Sequence, residues 1–277
     1  MKEKYQISFS GGRTSAYMTK LMLENFSDKY DFIVTFANTG LEHEKTLDFI
    51  NNCDKYFGFN TVWLEADVKH GERLSTQHKI VSFETASRNG QPFHEVIKKY
   101  GIPNPSYLHC TRELKLNVMQ SYLKSIGIYY KEVLTAIGIR EDETRRVNKK
   151  AAEVRITYPL IDLFPSDKQD VLDFWKEQDF DLDLEEWEGN CKLCFKKSFK
   201  KLFKQLDSDP SLIDFNLDME DRYPQIGNNP NNIDRVFFRG QTSASRLLKM
   251  WKDNSDDTPL HHLDGGCSES CEVYEAV

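Results

Sequence analysis

The sequence predicts an α/β fold in which a doubly wound parallel sheet carries a mainly helical, cysteine-bearing C-terminal appendage. Three observations lead to this prediction. Short apolar segments alternate with amphipathic segments in the first half of the chain, as in strand–helix–strand units with right-handed crossovers. The apolar segments are mostly uninterrupted, as expected of strands that are covered on both faces. Beyond residue 180 the alternation stops, and four of the six cysteines follow.

The predicted elements follow one another along the chain. Residues 5–9 form an apolar strand, and residues 14–26 form a helix because their apolar side chains recur every three or four positions. Residues 66–110 hold three glycines and three prolines, so loops are predicted there around one short helix. The other strands are predicted at 31–37, 61–64 and 133–137, and the other helices at 43–57, 93–100, 111–124 and 167–177.

A change of composition near residue 180 predicts a domain boundary. Six acidic side chains lie between Asp179 and Glu188, and Gly189-Asn190-Cys191 is then expected to open a basic helix. The predicted units are an α/β domain at 1–180 and a cysteine-rich helical region at 181–277 that packs on it. This Rossmann-like arrangement places ligands beyond the carboxyl ends of the strands.

The bulk composition excludes some classes of protein. No apolar run approaches the roughly 18 residues of a membrane helix, and the N-terminal Met-Lys-Glu-Lys is unlike a signal peptide, so we expect a cytoplasmic protein with no membrane partner. The net charge is −7 and the pI is about 5.6, so the molecule as a whole does not attract nucleic acid. A local basic surface stays open as an alternative, and the sequence specifies no oligomeric state.

The segment that follows the first strand has the composition of an anion site. Ser8 ends the strand, and Ser10-Gly11-Gly12-Arg13-Thr14-Ser15 leads directly into the first helix. Glycines allow a tight turn with exposed backbone N–H groups, the hydroxyl side chains add donors, and the helix directs its positive end to the same place. The spacing is neither that of a Walker P-loop nor Gly-x-Gly-x-x-Gly. The alternative is a simple turn between a strand and a helix.

Two further segments lie at predicted strand ends. Asn38-Thr39-Gly40 offers an amide, a hydroxyl and a glycine turn, which suit a base or ribose edge. Gly138 is followed by Arg140 and an acidic run at 141–143. An arginine there can bind phosphate or sulfate in a bidentate manner, and a carboxylate can help to hold Mg²⁺. The alternative for the charged run is a solvated surface loop.

The cysteines predict a metal site. Because disulfides are rare in cytoplasmic proteins, the Cys-x-x-Cys pair at 191 and 194 and the Cys-x-x-x-Cys pair at 267 and 271 indicate metal or redox chemistry. At a helix N-terminus the first pair would have lowered thiol pKa values. Four thiolates suit a [4Fe–4S] cluster or, as the rival, zinc; free thiols are the third alternative. Cys53 is expected to be a buried thiol, and the candidate ligands are Cys110, Cys191, Cys194, Cys267 and Cys271.

Five segments of the chain, in order, form a recognisable set: Ser10–Ser15, Phe36–Glu42, Cys110–Lys115, Gly138–Glu143 and Tyr158–Leu160. Together they resemble the phosphoadenosine phosphosulfate (PAPS) reductase family of the adenine-nucleotide alpha-hydrolase-like superfamily, the PP-loop ATP pyrophosphatases. The resemblance implies that residues 1–180 bind an adenine nucleotide with its phosphates on the Ser10–Ser15 loop. Many ATP-cleaving members carry Asp where this chain has Thr14, which weakens the case for Mg²⁺ held by this loop.

The resemblance favours ATP-dependent sulfur transfer, in which an acceptor is adenylated and pyrophosphate leaves. Similar members in DNA phosphorothioation and tRNA thiolation use ATP with a cysteine-held cluster, so a nucleic acid or a small molecule is the expected sulfur acceptor. The first alternative is sulfonucleotide reduction, although the C-terminal Glu-Cys-Gly-x-His pattern of a true reductase is missing. The second is a non-catalytic nucleotide-binding defence or regulatory subunit. The candidate catalytic residues are Arg140 and Cys271.

The predicted basic helix is a further candidate surface. Its lysines alternate with apolar residues that have helical spacing and belong to the core. They can contact a nucleic-acid backbone or, as the favoured alternative, form a solvated face balanced by the acidic run before them. The lysines are Lys192, Lys196, Lys197, Lys200, Lys201 and Lys204.

Overall fold

The computed structural model describes residues 2–189, 191–227 and 233–253, and its centre is a six-stranded sheet. The strand order is β4-β3-β2-β1-β5-β6, and every neighbouring pair is parallel except β3 and β4. The predicted α/β fold is confirmed. The strands are β1 (Glu3–Ser8), β2 (Tyr30–Asn38), β3 (Val62–Asp67), β4 (Gln77–Val81), β5 (Leu134–Ile137) and β6 (Ile156–Thr157).

The strand order reverses at β1, because β2 lies on one side of this strand and β5 on the other. Such a reversal leaves a crevice beyond the carboxyl ends of the strands, where open α/β sheets bind ligands. The segments after β1, β2 and β5 therefore meet at one edge. They are the segments that the sequence analysis selected.

Helices cover the sheet and form the C-terminal part of the described chain. One π-helical turn, Arg112–Leu116, connects α4 to α5 without a break. No helix of the described residues is both long and apolar enough to cross a membrane. The helices are α1 (Arg13–Phe26), α2 (Glu44–Phe57), α3 (Gln91–Tyr100), α4 (His109–Thr111), α5 (Asn117–Ser125), α6 (Pro159–Asp162), α7 (Lys168–Lys176), α8 (Phe199–Ser208), α9 (Asp214–Arg222) and α10 (Ala244–Asp253).

The structure corrects two predictions of secondary structure. Residues 66–110 contain the strand β4 where loops were expected; β4 lies at the sheet edge and pairs only with β3, so its side chains are largely polar and exposed. The basic helix begins at Phe199 rather than at Cys191, because Leu193 has a positive φ of 45° and Ser198 caps the helix by accepting from the Lys201 backbone N–H. Cys191 and Cys194 therefore lie in turns.

Two large apolar clusters hold these elements together. The first lies between the sheet and helices α1, α2 and α7, with Trp175 among its largest buried side chains. The second joins Phe93, Ile97 and Leu114 of the first half to Leu202 and Leu247 of the C-terminal helices. The helices beyond residue 190 thus share a core with the segment that carries α3 and α4. The boundary at residue 180 stays a prediction.

Candidate functional site

The loop after β1 is held in shape by its own hydroxyl groups. Ser15 Oγ lies 2.9 Å from Ser10 Oγ, donates to the Gly12 carbonyl oxygen at 3.0 Å and accepts from the Ser10 backbone N–H at 3.3 Å. Gly11 has a φ of +80°, and a Cβ there would lie 2.8 Å from side-chain atoms of Ile50 and Thr46. Glycine is therefore required at this turn by both conformation and space.

Helix α1 begins inside this loop with an uncapped N-terminus. Gly12 is the N-cap residue, and no side chain in the described part of the chain accepts from the first N–H groups of the helix at this cap. The N-terminus of a helix carries a partial positive charge and unsatisfied N–H groups. The loop can therefore receive an anion.

Arg140 lies beside the loop and is 6% exposed. Its Nη1 donates to Thr14 Oγ1 at 3.0 Å, and its Nε donates to Asp142 Oδ1 at 2.9 Å. Its Nη2 lies 3.6 Å from Glu143 Oε2, while Glu143 Oε1 accepts from Arg146 at 2.7 Å. The hydroxyl of Thr14 thus orients a buried cation at the edge of the loop.

Gly138 connects the third strand end to the same loop. A Cβ at this position would lie 2.9 Å from Ser15 Cα and 3.1 Å from Ser15 Cβ. The end of β5 and the start of α1 are therefore in direct contact. This contact fixes the position of Arg140, two residues later, relative to the loop.

Three other side chains that were predicted to bind a ligand are buried or bonded to other residues of the protein. The Asn38 amide donates to Glu65 Oε1 at 2.7 Å and to the Ser87 carbonyl oxygen at 2.8 Å. Ser8 is 1% exposed. Arg13 makes a bidentate ion pair with Asp181, at 2.7 and 2.8 Å. These side chains shape the strand ends. Thr39 of the Asn38–Gly40 turn is also buried, at 1% exposure, and its hydroxyl donates to Glu42 Oε1 at 2.8 Å.

Cys110, Cys191 and Cys194 line one cavity of about 40 Å³, which we call the cysteine cavity. Cys110 reaches it from α4, and the other two reach it from the turns before α8. Leu41 and Phe93 are among its apolar walls, and Lys115 is also part of the lining. The structure therefore brings three of the five predicted metal ligands together.

The cysteine cavity adjoins the end of β2. Cys191 Sγ lies 3.3 Å from Thr39 Oγ1 and 3.8 Å from Glu42 Oε1, and the Lys192 backbone N–H donates to the Leu41 carbonyl oxygen at 2.8 Å. Burial is the main cause that raises the pKa of both Cys191 and Glu42. The expected lowering of the Cys191 pKa by a helix N-terminus is wrong, because the helix begins eight residues later and the thiol is buried.

These thiols fit a sulfur-ligated metal in donor type. Within the described ranges, however, no three His, Cys, Asp or Glu side chains are close enough to hold a metal ion. Cys267 and Cys271, the remaining predicted ligands, lie outside the described residues. Among the described residues the three cysteines therefore share one cavity without forming a metal site, and the metal assignment stays a prediction.

The sequence matches the family model of the phosphoadenosine phosphosulfate reductase domain over residues 4–180. This match spans more than half of the chain and includes all three strand ends. The chain belongs to the PAPS reductase family. The resemblance found in the sequence is thereby confirmed.

This family member is similar to two uncharacterized proteins and to one solved structure. The uncharacterized nin region protein ORF290 of Escherichia phage lambda is 32% identical over 97% of this chain and 94% of its own length. The uncharacterized protein MJ0973 of Methanocaldococcus jannaschii is 26% identical over 89% of this chain, which spans 51% of that protein. A crystal structure of PAPS reductase from Candida auris, a phosphate complex, is 13% identical with a TM-score of 0.39, covering 64% of this chain and 73% of that one.

Sequence reasoning missed two cations that hold the turns beside the cysteine cavity. Lys197 was assigned to an exposed basic face, but it is only 2% exposed, and its Nζ donates to the Cys191 carbonyl oxygen at 3.3 Å. Arg239 donates to the carbonyl oxygens of Lys196 and Lys197, at 3.1 and 2.8 Å. Both cations hold the turn that carries the Cys-x-x-Cys pair. A lysine in a run of lysines gives no local sign of such burial.

Proposed function

We propose that this member of the PAPS reductase family is an ATP-dependent sulfur-transfer enzyme that adenylates its acceptor and releases pyrophosphate. The observation that carries the proposal is the pairing of the uncapped N-terminus of α1 with the buried Arg140 at the point where the strand order reverses. Nucleotide phosphates are the ligands that such an edge of an α/β sheet receives.

Each part of the loop has a role in binding. The first N–H groups of α1 and the hydroxyl of Ser10 donate to phosphate oxygens, and Gly11 and Gly12 allow the close approach of backbone and ligand. Arg140 supplies a fixed positive charge, which acts more strongly in a buried position than in water. The nearest carboxylates, Asp142 and Glu143, are paired with arginines, so Mg²⁺ is expected to arrive with the nucleotide phosphates.

Adenylation needs positioning more than covalent chemistry from the protein. An acceptor oxygen attacks the α-phosphorus, the bond from that phosphorus to the bridging oxygen breaks, and the electron pair leaves with pyrophosphate. The loop orients the α-phosphate, and Arg140 stabilises the negative charge that develops on the leaving group. Both roles require groups that are fixed before the reaction, and Arg140 is fixed by Thr14 and Asp142.

In the proposed function the cysteines are the ligands of a metal cofactor. Cys110, Cys191, Cys194 and one of Cys267 and Cys271 would hold a [4Fe–4S] cluster, with zinc as the rival for the same four thiols. A bound cluster would supply the sulfur and electron chemistry of the transfer. Metal binding deprotonates cysteine thiols, which overcomes the burial that raises the pKa of Cys191.

ATP binding and pyrophosphate release test the nucleotide site. The Arg140→Gln variant should bind ATP about tenfold to a hundredfold more weakly, the usual effect of losing a charge-assisted hydrogen bond. Arg88→Gln, which removes an exposed arginine paired with Glu44, is the matched control and should bind ATP normally. Equal ATP affinity of the two variants would contradict the role of Arg140. Tight binding without pyrophosphate release, with nucleic acid and small thiols supplied, would favour the non-catalytic subunit.

Metal analysis after anaerobic purification tests the cysteine assignment. We expect iron and acid-labile sulfide in equal amounts, visible absorption, and loss of both in Cys191→Ser. Cys53→Ala is the control, because Cys53 is fully buried in the other apolar cluster. Zinc without iron would identify the rival site, and full iron content in Cys191→Ser would remove the proposed ligand set.

Sulfonucleotide reduction is the second candidate, and the family match itself favours it. In that reaction a cysteine thiolate attacks the sulfur of PAPS, adenosine bisphosphate leaves, and a dithiol such as thioredoxin releases sulfite by reducing the resulting thiosulfonate. Cys267 or Cys271 would be the nucleophile. Sulfite release from labelled PAPS with thioredoxin, lost in Cys271→Ser or Cys267→Ser, would replace the first proposal by this one.

A further inference from the structure

A second, larger cavity of about 640 Å³ opens beside α4 and is separate from the cysteine cavity. Its lining includes the ends of α3 and α4, the loop between them and a segment that precedes α10. We call it the basic cleft and define it by Lys99, Tyr100, Tyr107, His109, Arg112 and Arg235.

The basic cleft concentrates positive charge in a chain whose net charge is −7. Among the described residues that line it, none is acidic. The Arg112 side chain is 57% exposed, and its Nε donates to Glu113 Oε1 at 2.7 Å. Arg112 and Arg235 both line the cleft, so two arginine charges face the same cavity.

Aromatic rings form another part of the cleft. Tyr107 is 40% exposed, and the Arg235 guanidinium lies 4.0 Å from its ring centroid. Arg235 Nη1 also donates to the Tyr100 carbonyl oxygen at 3.1 Å. Tyr107 is thus held in place from one side by a fixed cation. An exposed ring in a cationic groove is the arrangement on which unpaired bases stack.

The basic cleft and the cysteine cavity lie on two faces of one helical segment. His109 and Arg112 line the cleft, whereas Cys110 and Thr111, which lie between them in sequence, line the cavity. A ligand in the cleft is therefore separated from the cysteines by the width of α4. This position is suitable for an acceptor that must be close to the proposed sulfur chemistry.

We infer that the basic cleft binds a single-stranded nucleic acid, with a phosphate on Arg112 and a base on Tyr107. Its assignment as the sulfur acceptor rests on the proposed function; the binding itself does not. A free phosphate would bind Arg112 but would make no contact that needs the exposed ring of Tyr107. A duplex keeps its bases stacked away from Tyr107, so the cleft selects an unpaired segment.

The test is fluorescence anisotropy of the full chain with a labelled single-stranded oligonucleotide of mixed sequence. Tyr107→Leu should weaken binding about tenfold, the usual loss for one stacked base, and Tyr107→Phe should restore it. Arg112→Gln should weaken binding and reduce the slope of log affinity against log salt by about 0.7, the value for one phosphate on a single strand. Arg222→Gln, an exposed arginine paired with Asp218, is the matched control.

Several outcomes would overturn the inference: no binding by the wild-type chain, equal affinity of Tyr107→Leu and the wild type, equal loss in Arg222→Gln, or equal binding of a duplex. Competition by inorganic phosphate alone, at the same concentration as the oligonucleotide, would identify a phosphate site instead. ATP binding is measured on the same samples. A chain that binds the oligonucleotide but not ATP overturns the proposed function and leaves this inference standing, and the reverse result does the opposite.

Discussion

At Gly138 the end of β5 contacts the start of α1, and the absence of a side chain allows this contact. The Gly138 backbone is not in the left-handed region, so the requirement for glycine arises from contact with Ser15. A methyl group there must push β5 away from the start of α1. Because Arg140 follows β5 directly, the displacement would reach the cation beside the loop.

We predict that Gly138→Ala lowers the free energy of unfolding by about 1–3 kcal/mol, as overpacking does, and also weakens ATP binding. Gly58→Ala is the control: its φ is +67° and no atom lies within 4 Å of the added Cβ, so it costs about 1–2 kcal/mol by backbone strain alone. Chemical denaturation and ATP titration check both variants. Normal ATP binding by Gly138→Ala would contradict the proposed coupling.

Glu220 is a buried carboxyl with a pH-dependent contribution to stability. It accepts from the backbone N–H groups of Phe237 and Ala244, at 2.9 and 2.7 Å. Burial raises its pKa, and these two hydrogen bonds oppose the rise. Since the folded state binds the proton more tightly than the unfolded state, the contribution is present at low pH. It is lost as pH rises from the unfolded value of 4.5 through the folded value.

We therefore predict that the wild-type chain loses stability relative to Glu220→Gln as the pH rises above 4.5. Urea denaturation of both proteins from pH 4 to pH 7 gives the difference directly, and other carboxyl groups cancel in it. A difference that is constant or has the opposite slope would show that the pKa of Glu220 is not raised. In Glu220→Ala both N–H groups lose their acceptor, which should cost about 2–3 kcal/mol.

At the scale of elements, α7 supports the loop at Ser10–Ser15. Asp167 and Asp170 form a capping box at its N-terminus. Trp175, near its other end, donates from Nε1 to the Arg13 carbonyl oxygen at 3.1 Å. The stability of α7 therefore bears on the backbone from which α1 begins.

We predict that Asp167→Ala lowers the free energy of unfolding by about 1 kcal/mol, the usual effect of losing an N-cap. Asp167→Asn keeps an acceptor at the cap and should cost much less. Thermal and chemical denaturation distinguish the two variants. Equal losses would show that the charge of Asp167 matters more than the cap.

Features that depend on residues close together in the sequence were predicted well, and features that depend on tertiary packing were not. The loop at Ser10–Ser15 carries hydroxyl groups whose hydrogen bonds lie within the loop itself. By contrast, β4 is polar because it has only one strand partner, so its sequence resembles a loop. The start of α8 at Phe199 depends on the turn at Leu193, which the packing of Lys197 and Arg239 holds. No spacing rule reveals that packing.

At the scale of the whole molecule, the family match ends before the shared core does. The match stops at residue 180, but buried residues of α3 and α4–α5 pack against α8 and α10. We predict that a fragment of residues 1–180 aggregates or unfolds without cooperativity, because it exposes half of that cluster. A fragment of residues 1–253 keeps both halves and should unfold in one cooperative transition. Equal stability of the two fragments would show that the first part folds independently.

The carboxyl end of β2 and the cysteine cavity also meet, through Thr39 and Leu41. We predict that saturating ATP slows alkylation of Cys191 and Cys194 by iodoacetamide several-fold, because an occupied strand end restricts the turn against which Cys191 packs. Mass spectrometry after timed quenching measures the rates. Arg140→Gln should lose this protection at the same ATP concentration. Unchanged rates in the ATP-saturated wild type would show that the two regions are independent.

The π-helical turn at Arg112–Leu116 carries a consequence for the evolution and engineering of this fold. Successive residues of a helix point about 100° apart, and wide turns of this kind hold one residue more than a regular helix. Deleting a single residue there would rotate α4 relative to α5 about the helix axis. Lys115 and Cys110 would then no longer point the same way. Variation in length at this turn should therefore be tolerated far less than substitution of its individual side chains.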